Sequence, residues 1–454
     1  MLQFAALRVA QSRILARLHP FHTTLFENHD RDQTPGWPVR PALTAEHALL
    51  LAQRALQQTA RPPDDPQLPA EADVVVVGSG ITGTFAAREL VSQGRGVVLL
   101  EAREACWGAT GRNGGHCQPM VYLSKPEVAR FELDTYHFLR NMVEYNKIPC
   151  SWATVGGVHG VTSRAAWDLV LQRVAFLQAW HPDLATVVRL VTDPDELKAL
   201  RVAEGAVGAV VQACAAKCWP YKLVAWVLEG LLASPLFNLQ TTTSVLHLQR
   251  LETKWMVHTD RGNVTASHVV LATNAYTSRL LPAMTGIIRP VRGQVCALKP
   301  VDGAPPLEHS YRDSGELILG GERMAARDTG DGIWRDDEVD PVVGRRLREA
   351  LNLSLTEFPP KLEAGYEWTG IMGYSVDTQP WIGKVPESLG GGDGLWISAG
   401  YTGHGMPVAA RGGIVVAEGI WEGRVSRFLS NGNRAWIGLR RQGYLRCQKR
   451  SRRN

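Results

Sequence analysis

The sequence predicts an α/β protein organised around a buried parallel sheet, on three observations. Residues 73–77 (DVVVV) are a continuous run rich in β-branched side chains, as in a strand covered on both faces. A glycine turn, GSGITG (78–83), follows at once, and then Phe85, Ala86, Ala87, Leu90 and Val91 fall at helical spacing. More than 300 residues later the pattern of strand, glycine turn and helix returns, as LWISAGYTGHGM (395–406) leading into 409–420.

The elements can be justified in order. The first 21 residues, MLQFAALRVAQSRILARLHPF, set Arg8, Arg13 and Arg17 among Leu, Val and Ile with no acid. That is the composition of a mitochondrial transit peptide, and equally of an irregular start to the chain. RPPDDPQLP (61–69) reads as an extended linker, because each Pro fixes its own φ and turns its predecessor away from helix.

The first glycine turn sits between a predicted strand and a predicted helix. A second apolar run, VVLL (97–100), ends at Glu101, 18 residues past Gly83. This is the context of a dinucleotide-binding unit. In it Gly78 permits the tight turn, Gly80 lets the backbone approach a pyrophosphate, and Gly83 allows close helix–strand packing. Ile81 and Thr82 stand in the first helical turn, whose N–H groups face the phosphates. Glu101, with Ala102 beside it, accepts from the ribose hydroxyls, and an acid there disfavours the 2′-phosphate of NADP.

NAD and FAD share that fingerprint, and the next segment separates them. GATGRNGGH (108–116) has four glycines in nine residues, which predicts a loop too flexible to be helix. Its small residues Gly108, Ala109, Thr110, Gly114 and Gly115, with Arg112 and Asn113, can let a large planar ring lie against the backbone. A nicotinamide dehydrogenase has no need of this second glycine loop, so FAD is the expected cofactor.

Beyond it, 152–162 alternates like a strand and Ser163 caps a helix ending near 180. An apolar strand near 264 runs into the small-residue turn around Ala272 and Thr273. Strand-like pieces follow within 287–320, then a helix over 342–355. No internal repeat is present.

The 454 residues carry 49 Lys+Arg against 44 Asp+Glu, a formal charge of +5, and 20% charged residues, which excludes a disordered chain and implies two or three domains. The charge is unevenly placed. Residues 1–26 carry three Arg and 424–454 carry nine Arg plus Lys449, neither stretch with an acid; without these 13, the body has 36 basic and 44 acidic groups, net −8. The body shows no footprint for nucleic acid. No apolar run reaches the ~18 residues of a bilayer span, and the best, 223–233, is broken by Glu229. Seven cysteines, odd in number and without metal-ligand spacing, suggest reduced thiols inside the cell, in cytoplasm or mitochondria. Cys214 and Cys218, four apart, are expected on one helix face as small buried hydrophobes rather than metal ligands, and no metal is expected.

Together GSGITG (78–83), Glu101, GATGRNGGH (108–116), VVLATNAYT (269–277), RPVRGQV (289–295), GIMGYSVDTQPWIG (370–383) and GYTGHGMP (400–407) resemble the FAD-dependent amine and amino-acid oxidoreductases of the D-amino-acid oxidase superfamily. The branch of γ-glutamylputrescine oxidase and, more distantly, sarcosine oxidase is the most similar. The resemblance covers about 72–425. It implies a discontinuous Rossmann-type FAD-binding domain (71–125, 200–285 and 365–425) with an inserted α+β substrate domain on a mixed sheet (126–199 and 286–364). Residues 1–70 remain as leader and linker and 426–454 as a basic tail.

By the same resemblance the activity is oxidation of a C–N bond of an amine or N-substituted amino acid, with hydride transfer to flavin N5, hydrolysis of the imine, and O2 or another carrier as acceptor. His404 is placed near flavin and substrate, with Gly403, Gly405 and Met406 forming the turn under the flavin N1/O2 edge and Val245 as a further cofactor contact. Arg112 is either a flavin or phosphate contact or a brace for its loop; His116 is a ring contact or a covalent tether. Two departures bear on substrate and attachment. No lysine follows GHG, which puts the carboxylate clamp of sarcosine oxidase in doubt, and no cysteine stands near Gly370 to tether a flavin, so FAD is expected to be non-covalent. A competing reading, from the transit-like leader and the missing clamp, is a non-catalytic mitochondrial flavoprotein acting as an assembly factor.

Overall fold

A computed structural model describes residues 24–28, 68–202, 204–299, 316–326, 328–354 and 362–422. The transit-like stretch up to residue 23, the Pro-rich linker up to 67 and the basic tail lie outside the described residues.

The run at 73–77 forms the strand Glu71–Val77, parallel to Val97–Leu100 on one side and Gly262–Leu271 on the other. Phe237–Gln240 extends this parallel core beyond Val97–Leu100. The ten-residue strand Gly262–Leu271 divides its far edge: its first half pairs antiparallel with Trp255–Thr259, and its end pairs parallel with Leu395–Ala399. With Val245–Arg250 and Trp381–Lys384 at its margins, the sheet is eight-stranded and mixed.

Alternate residues of the central strands feed two different cores. Val74, Val76, Val97 and Leu99 pack with the helices Ile81–Ser92, Pro220–Leu232 and Ala409–Glu422; Val75, Val77, Val98 and Leu100 pack with the opposite layer. Burial on both faces is why the run has no polar alternation, and each such side chain contributes about 1.5–3 kcal/mol. The helices Ile81–Ser92 and Ala409–Glu422 touch directly, since a β-carbon on Gly413 would lie 2.1 Å from the Thr82 carbonyl oxygen.

A second sheet is antiparallel, in the order Thr24–Asn28, Glu316–Gly321, Ile288–Leu298, Ala364–Ser375. The helix Pro341–Ser354 covers it through Val343, Leu347 and Ala350. A small three-stranded sheet joins Gly157–Val161, Gly208–Gln212 and Val188–Val191. Ser163 caps the helix Arg164–Trp180, accepting from Ala166 N–H.

Several sequence expectations differ from the structure. Gly208–Gln212 pairs with Gly157–Val161, so the sheet crosses the domain boundary expected at 200. Within the stretch assigned to leader and linker, Thr24–Asn28 is a strand of the antiparallel sheet. Cys214 and Cys218 do not share a helix: Cys214 lies between two strands and Cys218 follows the strand Ala216–Lys217. The glycine-rich 108–116 is not loop throughout, because Ala109–Arg112 closes one helical turn. The bonds of Arg112 to the Asp336 and Thr369 carbonyls, with those of the Asn113 amide to the Ala109 and Thr110 carbonyls, outweigh the entropic cost of the glycines there. Among the described residues no helix is long and apolar enough to cross a membrane, and no group of His, Cys, Asp or Glu could hold a metal ion.

Candidate active site

A cavity of about 1730 Å³ runs between the parallel sheet and the antiparallel sheet. Its floor is built from strand ends. Gly78, at φ +104°, turns the chain so closely past the next strand that a β-carbon would lie 2.8 Å from the Ala272 carbonyl oxygen. Gly80 then begins the helix Ile81–Ser92 with no side-chain cap and no acid in the first turn. The N–H groups of Gly80, Thr82 and Gly83 have no protein acceptor among the described residues, while that of Ile81 donates to Thr110 Oγ1 at 3.1 Å. An uncapped helix start with unpartnered donors is suited to a diphosphate.

Glu101 leaves its strand beside this turn. Its Oε2 accepts from Ser79 N–H and Oγ–H, at 3.0 and 2.7 Å, and its Oε1 from Arg103 N–H at 3.0 Å. Those donors fix the carboxylate at the cavity wall, next to Ala102. Val245, Ala272 and Thr273 line the same end.

The second glycine turn comes from the other end of the chain. Gly403, at φ +77°, and Gly405 and Met406 line the cavity, and their N–H groups have no protein acceptor among the described residues. The Tyr401 hydroxyl secures this turn to the first one, bonding Thr82 Oγ1 at 2.7 Å and Ser398 Oγ at 2.8 Å.

Most of the residues expected at the site line this cavity: Gly78, Gly80, Ile81, Thr82, Glu101, Ala102, Gly108, Ala109, Thr110, Arg112, Asn113, Gly114 and His116, with Val245, Ala272, Thr273 and 403–406. Two of them do not. Gly83 faces the strand, where a β-carbon would lie 1.9 Å from the Gly78 carbonyl oxygen, and Gly115 turns at φ +79° against the Cys218 carbonyl oxygen. Both serve close packing.

Arg112 is a brace. It is 6% exposed, donates to the carbonyls of Trp107, Asp336 and Thr369, and pairs with Asp336 Oδ2 at 3.1 Å. Asp336 also pairs with Arg103 at 2.9 Å, so one carboxylate ties the loop after Glu101 to the antiparallel-sheet side. Gly370 packs closely on Arg112, where a β-carbon would lie 3.1 Å from Arg112 Cβ.

A polar wall closes the cavity between the helix Pro126–Asn146 and the second glycine turn. Glu132 is 2% exposed; it accepts from Met120 N–H at 2.6 Å and Ser124 Oγ–H at 3.3 Å, and its Oε2 lies 3.3 Å from His404 Nε2. Beside it runs a second chain of bonds. His116 Nε2–H donates to Gln118 Oε1, Gln118 Nε2–H donates to His159 Nε2 at 2.6 Å, and His159 Nδ1–H donates to the Tyr122 oxygen at 2.9 Å. The amide's fixed donor and acceptor thus set both tautomers. Burial pushes His116 and His159 down to about 4, and the nearby imidazoles add to the effect.

Gln118, Glu132 and His159 are site residues that the sequence reading missed. Glu132 had a signal: it interrupts an otherwise apolar helical stripe of Ala129, Leu133, Tyr136, Leu139 and Val143. Gln118 had none, and His159 is one polar residue within the strand-like stretch 152–162.

The chain matches the DAO family of FAD-dependent oxidoreductases over residues 73–419. It belongs to that family. This FAD-dependent oxidoreductase is 25% identical over 391 residues to gamma-glutamylputrescine oxidoreductase of Escherichia coli (strain K12), covering 78% of this chain and 85% of that one. It is 26% identical over 356 residues to glycine oxidase of Pseudomonas aeruginosa, covering 74% and 91%. Among solved structures, glycine oxidase from Geobacillus kaustophilus superposes with a TM-score of 0.64 at 21% identity, covering 78% of this chain and 95% of the other. L-proline dehydrogenase from P. horikoshii gives 0.62 at 21% identity, covering 79% and 95%. The structural likeness gives the fold. The unpartnered N–H groups at both glycine turns and the carboxylate of Glu101 fit the FAD that the family requires.

Proposed function

We propose that this oxidoreductase oxidises the C–N bond of an amine or N-substituted amino acid, bound FAD supplying a hydride acceptor at N5, water hydrolysing the imine, and O2 restoring the flavin with release of H2O2. The observation that carries it is the meeting, in one cavity, of two glycine turns rich in unpartnered N–H groups with the polar wall of Glu132, His116, His159 and His404.

In this reading the residues divide as follows. Gly80 and Thr82 hold the diphosphate by their N–H groups, and Glu101 holds the ribose. Gly403, Gly405 and Met406 direct N–H groups toward negative charge that develops on reduction. FAD is held without a covalent bond, since no cysteine stands at Gly370 and His116 is engaged with Gln118. The antiparallel sheet supplies the substrate side. There Arg323 lies 5.3 Å over the Tyr374 ring and donates to the Thr329 carbonyl. It has no carboxylate partner among the described residues, which supports a substrate that includes a carboxylate.

The test is anaerobic mixing of the holoenzyme with a panel of amines, N-methyl amino acids and polyamine conjugates. Bleaching of the flavin band near ~450 nm by at least one is expected. A yellow protein that none of them bleaches would overturn the reading in favour of the non-catalytic flavoprotein. Peroxide on admission of air is the result expected for O2 as acceptor.

A further inference from the structure

An amine reaches a protein at neutral pH as an ammonium ion, because an alkylammonium titrates near ~10. Its nitrogen must release a proton before its lone pair can assist loss of hydride from the adjacent carbon. Resting on the amine-oxidation reading above, we propose that Glu132 and His404 are the proton-accepting pair of this site: Glu132 holds His404 Nε2–H, and His404 takes the ammonium proton at Nδ1.

The geometry supports the division of roles. Glu132 is almost wholly buried, and its oxygens accept from Met120 N–H, Ser124 Oγ–H and His404 Nε2, so it is held as an acceptor. His404 is more open, with 29% of its side chain exposed, and it lines the cavity. With Nε2 committed to Glu132, Nδ1 is the nitrogen that carries a lone pair, and no protein group bonds it among the described residues. A carboxylate behind the ring both fixes the tautomer and stabilises the imidazolium that forms. His404 is the catalytic residue in this assignment and Glu132 the positioning residue.

Other groups facing the pair do not compete for the proton. His116, in the short strand His116–Cys117, and His159, in Gly157–Val161, are pushed down to about 4 by burial, and both ring tautomers are set by Gln118. Burial pushes the Cys117 thiol and the Tyr122 and Tyr374 phenols up, and Tyr401 up to about 12. On the helices behind the site Arg411 and Asp134 neutralise each other at 3.3 Å. The balance of the step is simple. The N–H bond of the ammonium breaks and its proton goes to His404; the C–H bond then breaks with its electron pair, as hydride, toward the family's flavin, leaving C=N on the substrate.

The test compares anaerobic flavin bleaching at saturating amine, at pH 7 and near pH 10, in wild-type, His404→Asn and Glu132→Gln holoenzymes. His404→Asn should slow bleaching at pH 7 by about 100-fold or more, the usual worth of a general base, and should regain most of the wild-type rate near pH 10, where solution supplies neutral amine. Glu132→Gln should slow it about tenfold at pH 7, with partial restoration in Glu132→Asp. A His404→Asn defect of equal size at both pH values overturns the assignment. If Glu132→Gln loses its flavin, His404→Asn alone decides.

A second measurement does not depend on turnover. tert-Butylamine has no C–H bond on the carbon beside its nitrogen, and its proton can be followed by NMR of the 15N-labelled histidine rings as it binds the holoenzyme. In wild type one ring should convert to the imidazolium form on binding, and that conversion should be missing in His404→Asn; no conversion in wild type overturns the assignment. Wild type that no amine bleaches at any pH removes the proposed function and this inference together, whereas bleaching with a pH-independent His404→Asn defect removes the inference alone.

Discussion

The Tyr401 hydroxyl lies 2.7 Å from Thr82 Oγ1, joining two glycine turns that are 319 residues apart in the chain. It also bonds Ser398 Oγ at 2.8 Å, and all three groups are buried. Tyr401→Phe leaves two buried hydroxyls without their shared partner, so it should cost about 1–3 kcal/mol. Chemical denaturation at fixed free FAD measures this, and faster flavin dissociation should accompany it.

Gly80 and Gly83 belong to one motif yet should fail differently. At Gly80 an added β-carbon meets only Thr110 Oγ1, at 3.1 Å, so Gly80→Val should leave a folded protein that does not retain flavin. At Gly83 the β-carbon would meet the Gly78 backbone at 1.9 Å, so Gly83→Ala should destabilise the fold itself by about 1–3 kcal/mol or more. Flavin content and circular dichroism, measured together, separate the two outcomes. Retained flavin in Gly80→Val would show that the turn does not face the diphosphate.

Asp336 is shared by Arg103 and Arg112. Asp336→Ala should cost about 2–4 kcal/mol, below the full value for orphaning a buried charge because Arg112 keeps three carbonyl acceptors. A loss below about 0.5 kcal/mol by urea unfolding would mean that the brace contributes nothing measurable.

His116 and His159 have folded values of about 4 against an ordinary 6.5. The unfolded chain therefore binds protons that the folded protein does not between those pH values. The stability this confers is complete above about 6.5 and is lost as pH falls toward 4, at about 1.4 kcal/mol per pH unit for each histidine. His159→Asn should reduce the slope of stability against pH in that window by about this amount. An unchanged slope would mean that His159 takes up its proton in the folded state as readily as in the unfolded one.

The local pieces of the fold were legible in the sequence. The run at 74–77 is apolar at every position because its two faces feed two cores, and this is visible without coordinates. Arg112 is a different case, since its residue type allowed both a cofactor contact and a brace. Only the arrival of Asp336, Trp107 and Thr369 around its guanidinium made it a brace. The single helical turn at 109–112 was hidden for a related reason: glycine content reports the freedom of the unfolded segment, not the bonds that later hold it.

By itself the sequence determined the parallel core of the large sheet, the two glycine turns and the family, because these rest on short-range periodicity and on backbone conformations that few residues besides glycine adopt. Tertiary structure alone decided that Glu132 stands behind His404 and that Gln118 sets the tautomers of His116 and His159. Those side chains come from segments with no spacing rule between them, and burial against one another, rather than residue type, sets their charge and hydrogen-bonding roles.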